Sequence, residues 1–243
     1  MIPVGDENPT RRFPVVTISL IMINIVLFLY MWLMGPLRFE SLLVHYGAIP
    51  KLIVSGDRLW TLITSMFLHA SPEHLIGNMI FLAIFGDNVE DRMGRLKFLA
   101  FYILSGMVAH LLHILSVYSI TPEANIYSWS YWRLPDPKLI PAVGASGAIS
   151  GVLGAYLYYY PNARVRVISL LWWIPVVYLV PAYYFIGFWF LFQLLMGIIT
   201  LTGIPSGVAF WAHIGGFLAG LILAPILKEK YYYVPVEVEY GWS

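Results

Sequence analysis

The sequence contains no cysteine and few charged residues. Only 11% of its 243 residues are Asp, Glu, Lys or Arg, whereas ordinary soluble domains have about 25%. The absence of cysteine excludes disulfide bonds, iron–sulfur clusters, cysteine-ligated zinc and a cysteine nucleophile. The net charge of +1 offers no broad attraction for nucleic acid, so we expect no nucleic-acid partner.

Apolar residues dominate the chain instead. They make up 60% of it, and the mean hydropathy is +0.76. A soluble domain of this length could not bury so much apolar surface. The sequence therefore predicts an all-α membrane protein that forms a single polytopic domain over residues 1–243 with the lipid bilayer around it.

Long stretches with few or no charged residues mark the predicted membrane spans. A helix needs about 20 mostly apolar residues to cross the hydrocarbon core. The Ser71-Pro72-Glu73 triplet is a helix-start signal, and Pro175 and Pro181 interrupt the longest apolar stretch. Six spans result, at residues 13–34, 71–87, 98–118, 144–160, 181–201 and 208–227.

Residues 168–180, between the fourth and fifth spans, are harder to assign. A single helix over residues 167–201 would be roughly 52 Å long, against a hydrocarbon core of about 30 Å. We predict an irregular interfacial stretch that carries Trp172 and Trp173 at the membrane surface. A further span or a re-entrant half-span is the alternative. A tight turn is predicted at residues 203–207.

Basic residues predict which side of the membrane each connection faces. Six spans place the N-terminal arm, the second and fourth connections and the C-terminal tail on one side. Short basic connections face the cytoplasm, so we expect a multi-pass protein of the cell membrane with both termini in the cytoplasm. That side holds nine of the 14 basic residues, namely Arg11, Arg12, Arg92, Arg95, Lys97, Arg164, Arg166, Lys228 and Lys230.

Four polar residues stand out within the predicted spans, where such groups are costly and usually functional. His74 and Asn78 share one face of the second span, Ser146 lies in the first turn of the fourth, and His213 lies near the start of the sixth. All three spans run inward from the outer side, so the topology predicts a similar depth for all four side chains. A serine beside a histidine is a nucleophile with its general base, and His74 and Asn78 could donate hydrogen bonds to an oxyanion.

Glycines predict that the fourth and sixth spans pack closely. Small residues at helical spacing let two membrane helices approach each other. If the stripes on these spans face each other, Ser146 comes within reach of His213, and the chemistry is acyl transfer, here hydrolysis of a peptide bond. No Asp or Glu lies at a matching depth, which favours a dyad. The packing glycines are Gly144, Gly147 and Gly151 in the fourth span and Gly216 and Gly220 in the sixth.

These motifs resemble the rhomboid family of intramembrane serine proteases. The matches are HxxxN at residues 74–78, GASG at 144–147 and AHIGG at 212–216. The resemblance implies a six-helix bundle with Ser146 as nucleophile, His213 as general base, and His74 and Asn78 around the oxyanion. It also implies single-pass membrane proteins as substrates, cut within or beside their membrane segment.

Two positions depart from the family pattern. The family usually has Trp-Arg in the first outer loop, whereas Trp60 is followed by Thr61, so Arg58 is the candidate substitute. The position four after the serine is often an aromatic residue that stacks on the histidine, and here it is Ser150. We therefore expect another contact to hold the histidine, with a hydrogen bond from Ser150 as the candidate.

The sequence also has features that bear on other sites and functions. His110 and His113 could form a metal-binding pair, but the sequence offers no evident third ligand, so we expect neither metal nor cofactor. A rhomboid-like protein that binds membrane clients without cutting them remains an alternative. A small channel or transporter also remains open, although the sequence shows no inverted repeat of broken helices.

Overall fold

The fold is described from a computed structural model over residues 2–120, 136–202 and 207–229. Most of the predicted turn at residues 203–207, as well as Lys230, lies outside these residues. The described helices are α1 (Val15–Leu33), α2 (Pro36–Tyr46), α3 (Pro50–Val54), α4 (Thr61–Thr64), α5 (Pro72–Met93), α6 (Arg95–Ile120), α7 (Ser146–Tyr159), α8 (Ala182–Thr200) and α9 (Phe210–Leu227). The strands are β1 (Ile2–Asp6), β2 (Arg164–Leu171) and β3 (Ile174–Pro181).

Six of these helices overlap the six predicted spans in order: α1, α5, α6, α7, α8 and α9. Four of them are long and apolar enough to cross a membrane, namely α1, α6 over Arg95–Ser119, α8 and α9. By contrast, α7 has only 14 residues, and α5 carries charges in both its first and last turns. The protein is therefore a multi-pass membrane protein, and the exact number of crossings stays a prediction.

Helix α7 lies at the centre of the bundle. It packs against α5, α6, α8 and α9, and every residue from Gly147 to Tyr156 is buried. Most of these side chains are small, which lets several helices approach one axis at once. Any group at the start of α7 is consequently surrounded by the neighbouring helices.

The glycine stripes of α7 and α9 face each other. A β-carbon on Gly216 would overlap the carbonyl oxygen of Gly147, and one on Gly220 would overlap that of Gly151. The same stripe of α7 also faces α6, because a β-carbon on Gly147 would lie 2.6 Å from Ala109 Cβ. The backbones of α7 and α9 are therefore in direct contact, and no side chain fits between them.

Residues 168–180 lie in a β-hairpin, so the prediction of an irregular stretch there is wrong. Strands β2 and β3 pair antiparallel, and β1 pairs with the other edge of β2. Buried and exposed residues alternate along β2, as expected for a strand, since Val165 and Val167 are buried while Arg164 and Arg166 are exposed. Pro175 is tolerated because β3 is an edge strand.

One end of the bundle, here called the sheet end, gathers segments that are far apart in sequence. The guanidinium of Arg12 lies 3.0 Å from Glu229 Oε2, the backbone N–H of Glu229 donates to the Arg92 carbonyl, and Arg166 Nη2 donates to the Asp6 carbonyl. The N-terminal arm, the α5–α6 connection, the hairpin and the residues after α9 therefore meet here. That this end faces the cytoplasm stays a prediction.

Candidate active site

Ser146 and His213 are in hydrogen-bond contact at the opposite end of the bundle, here called the site end. Ser146 is the first residue of α7, and His213 lies in the first turn of α9. The Ser146 Oγ atom is 2.9 Å from His213 Nε2. That distance allows the hydroxyl to donate to the imidazole and to pass its proton to it.

The contact between the two backbones is what places these side chains. Each of the two residues precedes the helix crossing by less than one turn, since Ser146 comes directly before Gly147 and His213 lies three residues before Gly216. Because Gly216 rests on the Gly147 carbonyl, the axial offset between α7 and α9 has almost no freedom. The main chain thus holds the two residues at a set separation, and their side-chain conformations complete the contact between Oγ and Nε2.

A glutamine on α8 contacts the other nitrogen of the histidine. Gln193 Oε1 lies 2.8 Å from His213 Nδ1, and Gln193 is only 5% exposed. The expected contact from Ser150 is wrong, because Ser150 Oγ donates to the carbonyl of Ser146 within α7. Sequence reasoning missed Gln193, although it is an amide inside an otherwise apolar helix and the rule for polar groups in spans would have found it.

His74 lies beside the loop that leads into Ser146. A β-carbon on Gly144 would lie 2.7 Å from His74 Nε2 and 3.7 Å from Ser146 Oγ, so both side chains border one small space. Gly144 has a φ of +125° and precedes α7, so it does not belong to the helix-packing stripe. Its lack of a side chain makes room for the His74 ring instead.

Asn78 lies one turn after His74 and is held by a second histidine. Its Nδ2 donates to His69 Nε2 over 3.0 Å. Burial lowers the pKa of His69 to about 3, so the ring is neutral and can accept. The rings of His69 and His74 also pack edge to face, with centroids 5.0 Å apart. An amide NH₂ carries two hydrogens, which leaves the second one of Asn78 for another acceptor.

A small cavity opens beside Ser146. Its other walls are mostly glycine, alanine and short apolar side chains, with Met66 and His110 beside them. Residues that border it include Val143, Gly144, Gly147, Ala209 and Ala212.

One histidine of the pair on α6 contacts a serine that precedes α5. His110 Nε2 lies 2.9 Å from Ser65 Oγ, which links α6 to the segment before α5. Among the described residues, no group of three or more His, Asp or Glu side chains could hold a metal ion.

Thr61, which stands where the family usually has the arginine of Trp-Arg, forms a turn with Arg58. Thr61 donates to the Arg58 carbonyl from its backbone N–H over 2.8 Å and from its hydroxyl over 2.7 Å. Arg58 has a φ of 52°, an uncommon conformation that these two bonds stabilise. Arg58, the candidate substitute for the family arginine, thus contributes its carbonyl group to this turn.

Comparison with known proteins places the chain among rhomboid relatives. The Rhomboid domain family matches residues 56–230. The chain is 31% identical to Rhomboid protease AarA of Providencia stuartii over 221 residues, which is 86% of this chain and 70% of that protein. It is 30% identical to Rhomboid-like protease 3 of Toxoplasma gondii over 184 residues, or 76% and 57% of the two chains. It spans about half of the mitochondrial RHOMBOID-like protein 12 of Arabidopsis thaliana, at 29% identity over 72% of this chain and 49% of that protein.

Proposed function

Because the chain belongs to the rhomboid family, we propose that it is an intramembrane serine endopeptidase. Its substrates are single-pass membrane proteins, which it cuts within or beside their membrane segment. The observation that carries the proposal is the 2.9 Å contact between Ser146 Oγ and His213 Nε2. Relatives named as proteases support the same activity.

The reaction begins with the attack of Ser146 on the scissile carbonyl carbon. His213 Nε2 takes the hydroxyl proton as the Oγ–carbon bond forms, and the carbonyl oxygen becomes an oxyanion. His213 then gives that proton to the leaving nitrogen, the C–N bond breaks, and an acyl-enzyme remains. A water molecule then attacks the ester carbonyl carbon while His213 takes one of its protons. The C–Oγ bond breaks, His213 returns that proton to Ser146 Oγ, and the new carboxyl end leaves.

Three donors suit the oxyanion. The backbone N–H of Ser146 has no partner within its helix because it is the first residue of α7, and it lies at the positive end of the helix dipole. His74 Nε2 borders the same space as Ser146 Oγ. Asn78 contributes the second hydrogen of the amide that His69 holds. Donors fixed before the reaction stabilise developing charge at little cost in reorganisation.

The length of α7 supports a site below the membrane surface. Its 14 residues span about 21 Å, against a hydrocarbon core of about 30 Å. With the sheet end at the cytoplasmic surface and both termini in the cytoplasm, Ser146 lies within the outer half of the membrane. In this arrangement α5 and α7 complete six crossings, and the protein resides in the cell membrane.

The test is cleavage of a single-pass test substrate in proteoliposomes, with the product ends read by mass spectrometry. We expect a single cut within or beside the membrane segment by the wild type and none by Ser146→Ala. Binding of the substrate without new ends would instead favour a client-binding protein and overturn the proposed activity.

A further inference from the structure

Gln193 contacts the general base from the side opposite to the nucleophile. Its Oε1 lies 2.8 Å from His213 Nδ1, while Ser146 Oγ lies 2.9 Å from Nε2 of the same ring. We propose that Gln193 is the positioning residue of the base, so that the working unit is Ser146–His213–Gln193. The inference rests on the proposed function, because it assigns a role in that same reaction.

The chemistry of the amide oxygen selects one tautomer of the histidine. Oε1 can only accept a hydrogen bond, so the ring must carry its proton on Nδ1. Nε2 is then left with the lone pair that takes the proton of Ser146. Without an acceptor at Nδ1, the ring is free to carry its proton on Nε2, and this form cannot act as a base toward Ser146.

A neutral amide suits a membrane site better than a carboxylate. An ionised Asp or Glu buried among apolar helices would have a large desolvation cost. An amide provides the same acceptor atom without a charge, and its bond to Nδ1–H strengthens as the ring becomes positive during proton transfer. In the part of the chain that the structure describes, the hydrogen-bond contacts of the His213 ring are with Gln193 and Ser146 and include no acidic residue, so a neutral amide can orient the base.

The contact also ties the base to the outermost part of the bundle. On α8 only Ala182, Ile186, Gln193 and Gly197 are buried. Gln193 is therefore one of the few α8 residues that face the bundle interior, and it contacts His213. One turn further along α8, a second hydrogen bond joins α8 to α9, from Trp211 Nε1 to the Gly197 carbonyl over 3.0 Å. The base is oriented only while α8 is packed against α9.

Two substitutions of similar size distinguish positioning from packing. Gln193→Met keeps the shape of the side chain but has no strong acceptor, and we expect kcat to fall by at least about 10-fold with KM little changed. Gln193→Glu keeps an acceptor oxygen whether the carboxyl is ionised or protonated, so it should retain most of the activity. A packing role forecasts the reverse, with Met tolerated and Glu harmful. Leu195→Met, on the exposed face of α8, is the matched control and should leave kcat unchanged.

A second measurement does not depend on proteolysis. ¹⁵N-histidine NMR of the detergent-solubilised protein, with the His213 signals identified by their loss in His213→Asn, reports which ring nitrogen carries the proton. We expect protonated Nδ1 in the wild type and Gln193→Glu, and a shift toward the other tautomer in folded Gln193→Met.

The outcomes separate this inference from the proposed function. A wild type that does not cleave, but whose His213 tautomer changes in Gln193→Met, would support the positioning role and overturn the proposed protease activity. A wild type that cleaves, together with a Gln193→Met variant of unchanged kcat and unchanged tautomer, would overturn the positioning role alone. If Gln193→Met does not fold, the tautomer of the wild type decides, and protonated Nε2 would overturn the inference.

Discussion

The site end and the sheet end of the bundle are held together by different means. At the site end, α7 and α9 touch backbone to backbone, and Gly216 rests directly on the Gly147 carbonyl. At the sheet end, side chains bridge separate segments. Glu90, for example, accepts hydrogen bonds from the backbone N–H and the hydroxyl of Thr17. Backbone contact leaves little freedom in how α7 and α9 lie against each other, whereas side-chain bridges allow some adjustment.

The largest expected effect is at the nucleophile. Ser146→Ala should reduce substrate cleavage to background, because no other described group contacts His213 Nε2 as a nucleophile. Alanine fits the same small site, so the thermal melting temperature should stay close to that of the wild type. Cleavage rates and melting curves on one preparation check both statements, and retained cleavage would reject the nucleophile assignment.

The next effect tests the backbone contact itself. Gly216→Leu should lower kcat/KM by about 100-fold or more, because the new side chain must push α9 away from α7 and displacement of about 1 Å can cost this much. Ile222→Leu, exposed on the same helix, is the control and should behave like the wild type. Normal turnover by a folded Gly216→Leu protein would show that the contact does not position the base.

A smaller effect is expected at the oxyanion donors. Asn78→Ala should lower kcat by up to roughly 100-fold while KM changes little, because the donor acts on charge that appears only in the transition state. The loss is reduced to the extent that His74 and the Ser146 N–H compensate. A lowered melting temperature with unchanged kcat would mean that Asn78 serves only to hold His69.

The smallest effect is expected at the sheet end. Burial is the main cause that raises the pKa of the Asp6 carboxyl, so the folded protein binds this proton more tightly than the unfolded chain. The stabilising contribution is complete below the unfolded pKa of about 4 and is lost as the pH rises through the folded value.

Asp6→Asn should therefore raise the melting temperature slightly at pH 7.5, with the difference shrinking toward pH 4 and kcat unaffected. Thermal melts at the two pH values and one set of turnover rates check this. A lower melting temperature at pH 7.5, or a changed kcat, would show that the sheet end is coupled to the site in a way that its contacts do not indicate.

Much of the site could be predicted from the sequence because a membrane makes polar residues conspicuous. Ser146, His213, His74 and Asn78 all stand out in apolar stretches, and the glycines indicate which helices approach. Gln193 was missed because it belongs to no short motif, and its partner lies 20 residues away across a connection. The packing of α8 against α9 is what brings it to His213.

The helices could be predicted because long apolar stretches mark them clearly. The prediction is wrong at residues 168–180, where the strand pattern competes with the prolines and the length of the apolar stretch. The hairpin of β2 and β3 has alternating Arg and Val at residues 164–167, which is a strand pattern. The prolines and the length of the stretch outweighed that pattern in the prediction. Gly144 has the spacing of a helical stripe, but spacing cannot reveal a φ of +125°.

If His213 activates Ser146, a fluorophosphonate should react with that serine, and the site of labelling can be mapped. The detergent-solubilised wild type and His213→Ala would be treated with the probe, digested and analysed by mass spectrometry. We expect a single adduct on Ser146 in the wild type and its loss in His213→Ala, since an unassisted serine is a poor nucleophile. An adduct on another residue, or equal labelling of Ser146 in both proteins, would contradict it.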